Sequence, residues 1–173
     1  MVKELTVPTE QETKPTVRDE RGDGLPPTLA DRVGFLLART QLAIRERAET
    51  ALIPFGLGDG SIDCSPRHVG CLAVIADEGP MSQHALGKSI GLDRTTIVAI
   101  VDWLESQGFV ERRRNPTDRR AYALEITEAG SRWLSQANSA LRTTEREFLA
   151  PLSAAERKQL IALLQRLMLA HQG

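Results

Sequence analysis

A mostly helical fold with one small β-hairpin is the class this sequence predicts, on three observations. Apolar residues recur at helical spacing along most of the chain from Leu29 onward. That period breaks once, at FVERRR (109–114) and AYALEI (121–126), two β-prone segments joined by the turn residues Asn115-Pro116-Thr117-Asp118. Glycines and prolines divide the helical stretches into segments with short connections, and the chain has neither repeats nor a second domain.

Residues 1–27 are rich in Pro, Thr, Glu and Lys without any period, and read as a mobile tail. Order is expected from residue 28, where Thr28 follows Pro26-Pro27 as a helix cap and Asp31 suits the first turn. The first helix, about 28–53, carries Leu29, Val33, Leu36, Leu37, Thr40, Ile44, Ala48 and Leu52 at helical spacing and stops at Pro54 and Gly56. The glycines of 56–60 make a loop. Ser65-Pro66 reads as an N-cap followed by proline at the first helical position, opening a second helix to about Asp77. Ser82 caps a short third helix with Ala85, Leu86 and Ile90 inward and Gly91 at its close; Asp93 caps a fourth that runs to about Gln107. After the hairpin, Thr127-Glu128 opens a fifth helix with Ala129, Trp133, Ala137, Leu141 and Phe148 on one face. Ser153 and Glu156 form a capping-box pattern before the last helix, which puts Leu160, Leu163, Leu164, Leu167 and Met168 on one side.

Charge as a whole names no partner. The 173 residues carry 22 basic against 23 acidic side chains, so a basic surface must come from local clustering. No apolar run is long enough to span a bilayer, and MVKELTVPTEQETKPT lacks the apolar core of a signal peptide. Both point to the cytoplasm.

Two short helices joined through Gly91-Leu92-Asp93, then a hairpin, is the order of a winged helix-turn-helix. On a wheel, the fourth helix sets Ile97, Ile100, Val101 and Leu104 in one stripe that must seat on the core. Thr95, Ala99 and Asp102 stand opposite, flanked by Val98, Arg94 and Trp103. Small side chains near its N-terminal end let such a helix approach base edges in a major groove. Residues 109–120 hold five arginines against Glu111 and Asp118, a local net of +3 that suits phosphates or a narrow minor groove. Taken alone, each feature also fits an ordinary solvated surface; together they are far more specific.

From Ser65 to Gly130 the chain resembles the MarR family of bacterial transcriptional regulators. The resemblance is carried by DRTTIVAIVDWLESQGFVERRRNPTDRRAYALEITEAG, with the wing pattern Asp118-x-Arg120 and the helix opening Ile126-Thr127-x-x-Gly130, and more generically by CSPRHVGCLAVIADEGPMSQHALG before it. It implies a core at about 65–127 between dimerisation helices at about 28–53 and 127–171. It implies a homodimer on pseudo-palindromic, double-stranded operator DNA, acting as a repressor that a small-molecule effector, an aromatic acid, releases. The implied DNA contacts are Arg94, Thr95, Thr96, Val98 and Ala99 of the recognition helix with Arg114, Asp118, Arg119 and Arg120 of the wing. The implied effector residues are Arg39, Arg67, His68 and Arg120. The apolar stripes support the dimer independently, because one small winged domain cannot cover a helix at each end of the chain. Ala99 and Trp103 depart from the family pattern, in which those positions often carry basic or polar residues, so binding must lean on Arg94, the wing and backbone amides, with thymine methyls as partners for Val98 and Ala99. Trp103, at the rim of the exposed face, is expected to pack under the wing rather than stack on DNA.

Other chemistries are weaker. Cys64, His68 and Cys71 stand at i, i+4 and i+7, a spacing that suits Zn²⁺, but Cys64 precedes the helix cap and no fourth ligand lies nearby, so neither metal nor cofactor is expected. A metal- or redox-sensing regulator on the same fold, or an interaction module that has lost DNA binding, are the alternative readings. No Ser/His/Asp set, phosphate-cradling glycine loop or paired carboxylates point to an enzyme.

Overall fold

A computed structural model describes residues 25–55, 64–114 and 122–171. Six α-helices and a hairpin follow in order among them: α1 (Val33–Leu52), a 3-10 turn (Ile53–Phe55), α2 (Pro66–Glu78), α3 (Gln83–Ile90), α4 (Arg94–Ser106), β1 (Val110–Arg114), β2 (Tyr122–Ile126), α5 (Glu128–Phe148) and α6 (Ala154–Ala170). The chain divides into two compact units, one ending at Gln41 and the other beginning at Leu42, so α1 contributes to both.

In the first unit the helix begins later than its sequence suggests. Leu29 N–H bonds the Pro26 carbonyl and Arg32 N–H the Leu29 carbonyl, both three-residue turns. The first four-residue bond runs from Leu36 to Arg32, so α1 opens at Val33 rather than after Thr28. Two successive prolines fix the backbone angle at 26 and 27 and supply no N–H, which favours a tight turn before regular helix.

The second unit is built around α2 and α4. Val69, Cys71, Leu72 and Ile75 of α2 interleave with Leu86 of α3, with Ile97, Ile100, Val101, Trp103 and Leu104 of α4, and with Trp133, Leu134 and Ala137 of α5. In α3, Leu86 is buried and Ile90 half-buried, whereas Ala85 faces outward. Gly87 turns inward instead, at the Leu92 carbonyl and Ile97, which leaves Ala85 on the far side of an eight-residue helix. Ser82 accepts from Ala85 N–H and Asp93 from Thr96 N–H, so the expected caps of α3 and α4 are in place. Gly91 takes the left-handed conformation, φ 73°, that lets the chain leave α3 and enter α4 within three residues.

The hairpin is antiparallel with Val110 opposite Ile126 and Arg114 opposite Tyr122. A third backbone segment docks on it: Met81 and Leu124 exchange N–H···O bonds of 3.2 and 2.7 Å, pinning the α2–α3 connection to β2. The hairpin root is fastened to α5 as well. Thr127 caps α5 with its hydroxyl oxygen while that hydroxyl lies 2.7 Å from the Gly108 carbonyl. A Cβ on Gly130 would lie 2.2 Å from the Phe109 carbonyl oxygen, so the Thr-x-x-Gly opening has a steric cause.

Two regions leave apolar surface uncovered. No residue of α6 is buried, and Ile161, Leu163, Leu164, Leu167, Met168 and Leu169 are all exposed. In α1, only Ala48 and Leu52 are buried. Among the described residues no helix is long and apolar enough to cross a membrane.

Candidate nucleic-acid interface

α4 is seated by its inner face. Its apolar stripe is buried as the periodicity predicts, and Trp103 extends it, packed inward against Phe109 at the root of the hairpin as expected. The Trp103 ring lies edge-on to His68 of α2, with centroids 4.8 Å apart, and also contacts Phe109 and Trp133 at 6.0 and 6.1 Å. The reason is angular: Trp103 sits next to Leu104 and three residues beyond Ile100, so its large ring extends the buried arc. Trp133 is fixed in turn by an indole N–H···O bond of 2.7 Å to the Phe55 carbonyl.

With the stripe buried, the exposed positions over the first nine residues of α4 are Arg94, Thr95, Val98, Ala99 and Asp102. Thr96 is half-buried and its hydroxyl donates to the Asp93 carboxylate at 2.6 Å, a local bond that helps hold that carboxyl below its usual range. Arg94, Val98 and Asp102 of this arc open onto a groove of about 1300 Å³ between α3, α4 and the hairpin. Ser82, Gln83, His84 and Lys88 of α3, Arg94, Val98 and Asp102 of α4, and Arg112 and Tyr122 of the hairpin line it. Arg112 belongs to the arginine cluster singled out in the sequence, whereas Gln83, Lys88 and Tyr122 are contributors that the sequence does not single out. His84 to Lys88 is one helical turn, but nothing local ties α3 to the wing, and Tyr122 lies in the hairpin without a charge to mark it. Gln83 carries the one buried side-chain donor among the described residues that lacks a partner, its Nε2.

The wing arginines divide into two kinds. Arg112 reaches across to α4, at 2.5 Å from Asp102 and 2.8 Å from Glu105. Arg113 lies between the directly opposed Glu111 and Glu125, at 2.5 and 3.2 Å, and these carboxylates raise its pKa. Cross-strand pairing of two glutamates is unfavourable unless a cation sits between them. Arg114 is exposed at the end of β1 and has no ion pair among the described residues. Of the local +3 read from the sequence, two arginines are therefore occupied within the protein. Asp118, Arg119 and Arg120 lie outside the described residues.

At the start of α2, Arg67 is exposed while His68 is buried. Ser65 N–H donates to His68 Nδ1 at 3.0 Å, and burial lowers the imidazole pKa, so the ring is neutral near pH 7 with its proton on Nε2. Arg39 is exposed on the part of α1 that belongs to the first unit. Burial pushes the Cys64 thiol up to about 12 and the Cys71 thiol up to about 11, the opposite of what a peroxide-reactive thiolate needs. Among the described residues no three His, Cys, Asp or Glu side chains converge as a metal site, so the Cys64–His68–Cys71 spacing does not assemble one.

Comparison with known proteins points the same way. The model of the MarR family matches residues 65–122. A relative from Thauera aromatica, a transcriptional regulatory protein for the hcr operon, is 38% identical over 141 residues, 81% of either chain. The transcriptional repressor CouR bound to a 23-mer DNA duplex superposes with a TM-score of 0.74 at 25% identity, over 82% of this chain and 96% of that one. CouR from Rhodococcus jostii RHA1 bound to p-coumaroyl-CoA gives 0.70 at 26% identity, over 82% and 95%. A winged helix-turn-helix whose recognition helix opens on a groove, matched over four-fifths of its length, makes this chain a member of the MarR family of transcriptional regulators.

Proposed function

We propose that the protein is a homodimeric, sequence-specific repressor, not an enzyme, that binds a pseudo-palindromic operator in the cytoplasm and is released by a small-molecule effector. One observation carries the DNA-binding part: α4 buries its whole apolar stripe in its own chain and presents a polar-to-small arc to an open groove beside the wing. Arg94, Thr95, Val98 and Ala99 approach base edges, Thr96 organises the helix start, and Arg114, Asp118, Arg119 and Arg120 engage the backbone or minor groove. The apolar face of α6, none of it buried, supports a second copy as its cover, and two recognition helices then read half-sites about one turn apart.

The effector is an aromatic acid or its thioester, a class supported by the p-coumaroyl-CoA held by CouR. Arg39, Arg67, His68 and Arg120 are its proposed contacts. A neutral His68 acts there as an Nε2–H donor, and Arg67 supplies charge.

The test is a gel shift on the DNA upstream of the protein's own gene across a salt series, with wild type and Thr95→Glu. Wild type binds with an affinity that falls steeply as salt rises, and Thr95→Glu loses about 100-fold or more with an unchanged thermal melt, because a carboxylate at the centre of the arc meets phosphates. No binding by wild type, or equal binding by the variant, overturns the assignment.

A further inference from the structure

The exposed arc of α4 has a composition that restricts what it can read. Of its five outward side chains, Arg94 is the one cation, and it stands at the first helical position. Bidentate readout of guanine takes Arg or Lys, and that of adenine takes Asn or Gln; neither type occurs on the arc beyond Arg94. Asp102 could accept from a cytosine amine, but its Oδ1 is held by the Arg112 guanidinium at 2.5 Å, and Glu105 is held by the same group. Arg112 thereby also shields passing phosphates from both carboxylates. What remains on the groove side of the arc is apolar: the two methyls of Val98, exposed to 38% and lining the groove, with the methyls of Thr95 and Ala99 on the adjoining outer side of the helix.

The apolar group that a base edge offers in the major groove is the 5-methyl of thymine. We infer that α4 reads thymine 5-methyl groups through Val98, flanked by Thr95 and Ala99, and that Val98 is a specificity-determining residue. This rests on the DNA-binding reading above. Major-groove selectivity then lies in methyl burial, and the Arg112 tie to Asp102 and Glu105 keeps that patch free of bare negative charge.

Replacing thymine by deoxyuridine removes the methyl and leaves the pairing edges intact, so the test can isolate it. Full-length protein is used to select a duplex from a random pool, the protected segment is mapped, and its thymines are replaced by deoxyuridine. Burial of one methyl is equivalent to about fourfold in affinity. With one methyl in each half-site, wild type should bind the deoxyuridine duplex at least about tenfold more weakly, with the same salt slope. Val98→Ala, an exposed change that leaves the fold alone, should bind the thymine duplex more weakly and lose most of the thymine-to-uracil difference. Equal wild-type affinity for the two duplexes overturns the inference while leaving DNA binding intact. So does a thymine-to-uracil ratio that is the same in Val98→Ala, since the methyl would then act through DNA mechanics or another residue. Failure to enrich any duplex in a salt-dependent way overturns the DNA-binding reading, and the inference falls with it.

Discussion

α4 and α6 are both regular, well-capped amphipathic helices, and they meet opposite fates. α4 spans 13 residues and buries five of them; α6 spans 17 and buries none. Both caps are built alike, an Asp93 carboxylate taking Thr96 N–H in one and a Ser153–Glu156 capping box in the other, so local helix signals do not distinguish them. The difference lies in the surroundings. α4 is enclosed by α2, α3 and the hairpin of its own chain, whereas α6 contributes no residue to that core. A helix satisfied by its own chain can devote its outer face to a ligand. One that is not must find a partner for its inner face, and an exposed apolar surface of this kind marks such an interface.

The contrast can be tested at each end. The largest effect is expected at Trp103, whose ring joins α4 to His68, Phe109 and Trp133. Trp103→Ala should cost about 3–5 kcal/mol in chemical denaturation. A loss below about 1 kcal/mol would mean that α4 is not anchored by its own chain.

Next in size is the double change Leu164→Glu, Leu167→Glu on α6. Far-UV circular dichroism should be unchanged, while light scattering shows monomer and operator affinity falls by about 100-fold, as two linked half-site contacts become one. A persisting dimer would place the interface elsewhere and erase the contrast between the two helices.

Arg112→Ala probes the outer face of α4. The ion pairs are partly exposed, so stability should change by less than about 1 kcal/mol. Operator affinity should nonetheless fall by about tenfold, because the wing loses a cation and Asp102 is released toward phosphates. Equal losses of stability and affinity would make the pair a structural tie alone.

The smallest effect concerns pH. Burial holds the His68 pKa below its ordinary 6.5, so near and just below that value the unfolded chain binds a proton that the folded one does not. Stability attributable to His68 is therefore present above about 6.5 and is lost as the pH falls below it. Thermal melts between pH 7.5 and 5.5 should have a shallower slope in His68→Asn, which keeps an acceptor for Ser65 N–H. An identical slope would mean that the buried ring does not contribute to acid sensitivity.

Much of this architecture is decided locally and can be read residue by residue. Ser65-Pro66, Ser82, Asp93, Thr127 and Ser153 open helices because each cap is satisfied within a few residues of itself. The hairpin strands appear where helical spacing gives way to β-prone residues, and the α4 stripe is fixed by its 3.6-residue period. The sequence also places Thr95, Val98 and Ala99 on one outward arc, which is the larger part of the candidate interface. What it does not determine is whatever depends on distant partners. The contacts of Trp103 with His68 and Trp133, the neutrality of His68, and the commitment of Arg112 to Asp102 and Glu105 each require elements that only the tertiary fold brings together. The start of α1 lies beyond the reach of local signals because a double proline followed by a plausible cap reads equally well as a turn. Charge suffers most from a purely local reading: five neighbouring arginines count alike in a sequence, but a carboxylate from another strand or helix neutralises some and leaves others available for a phosphate.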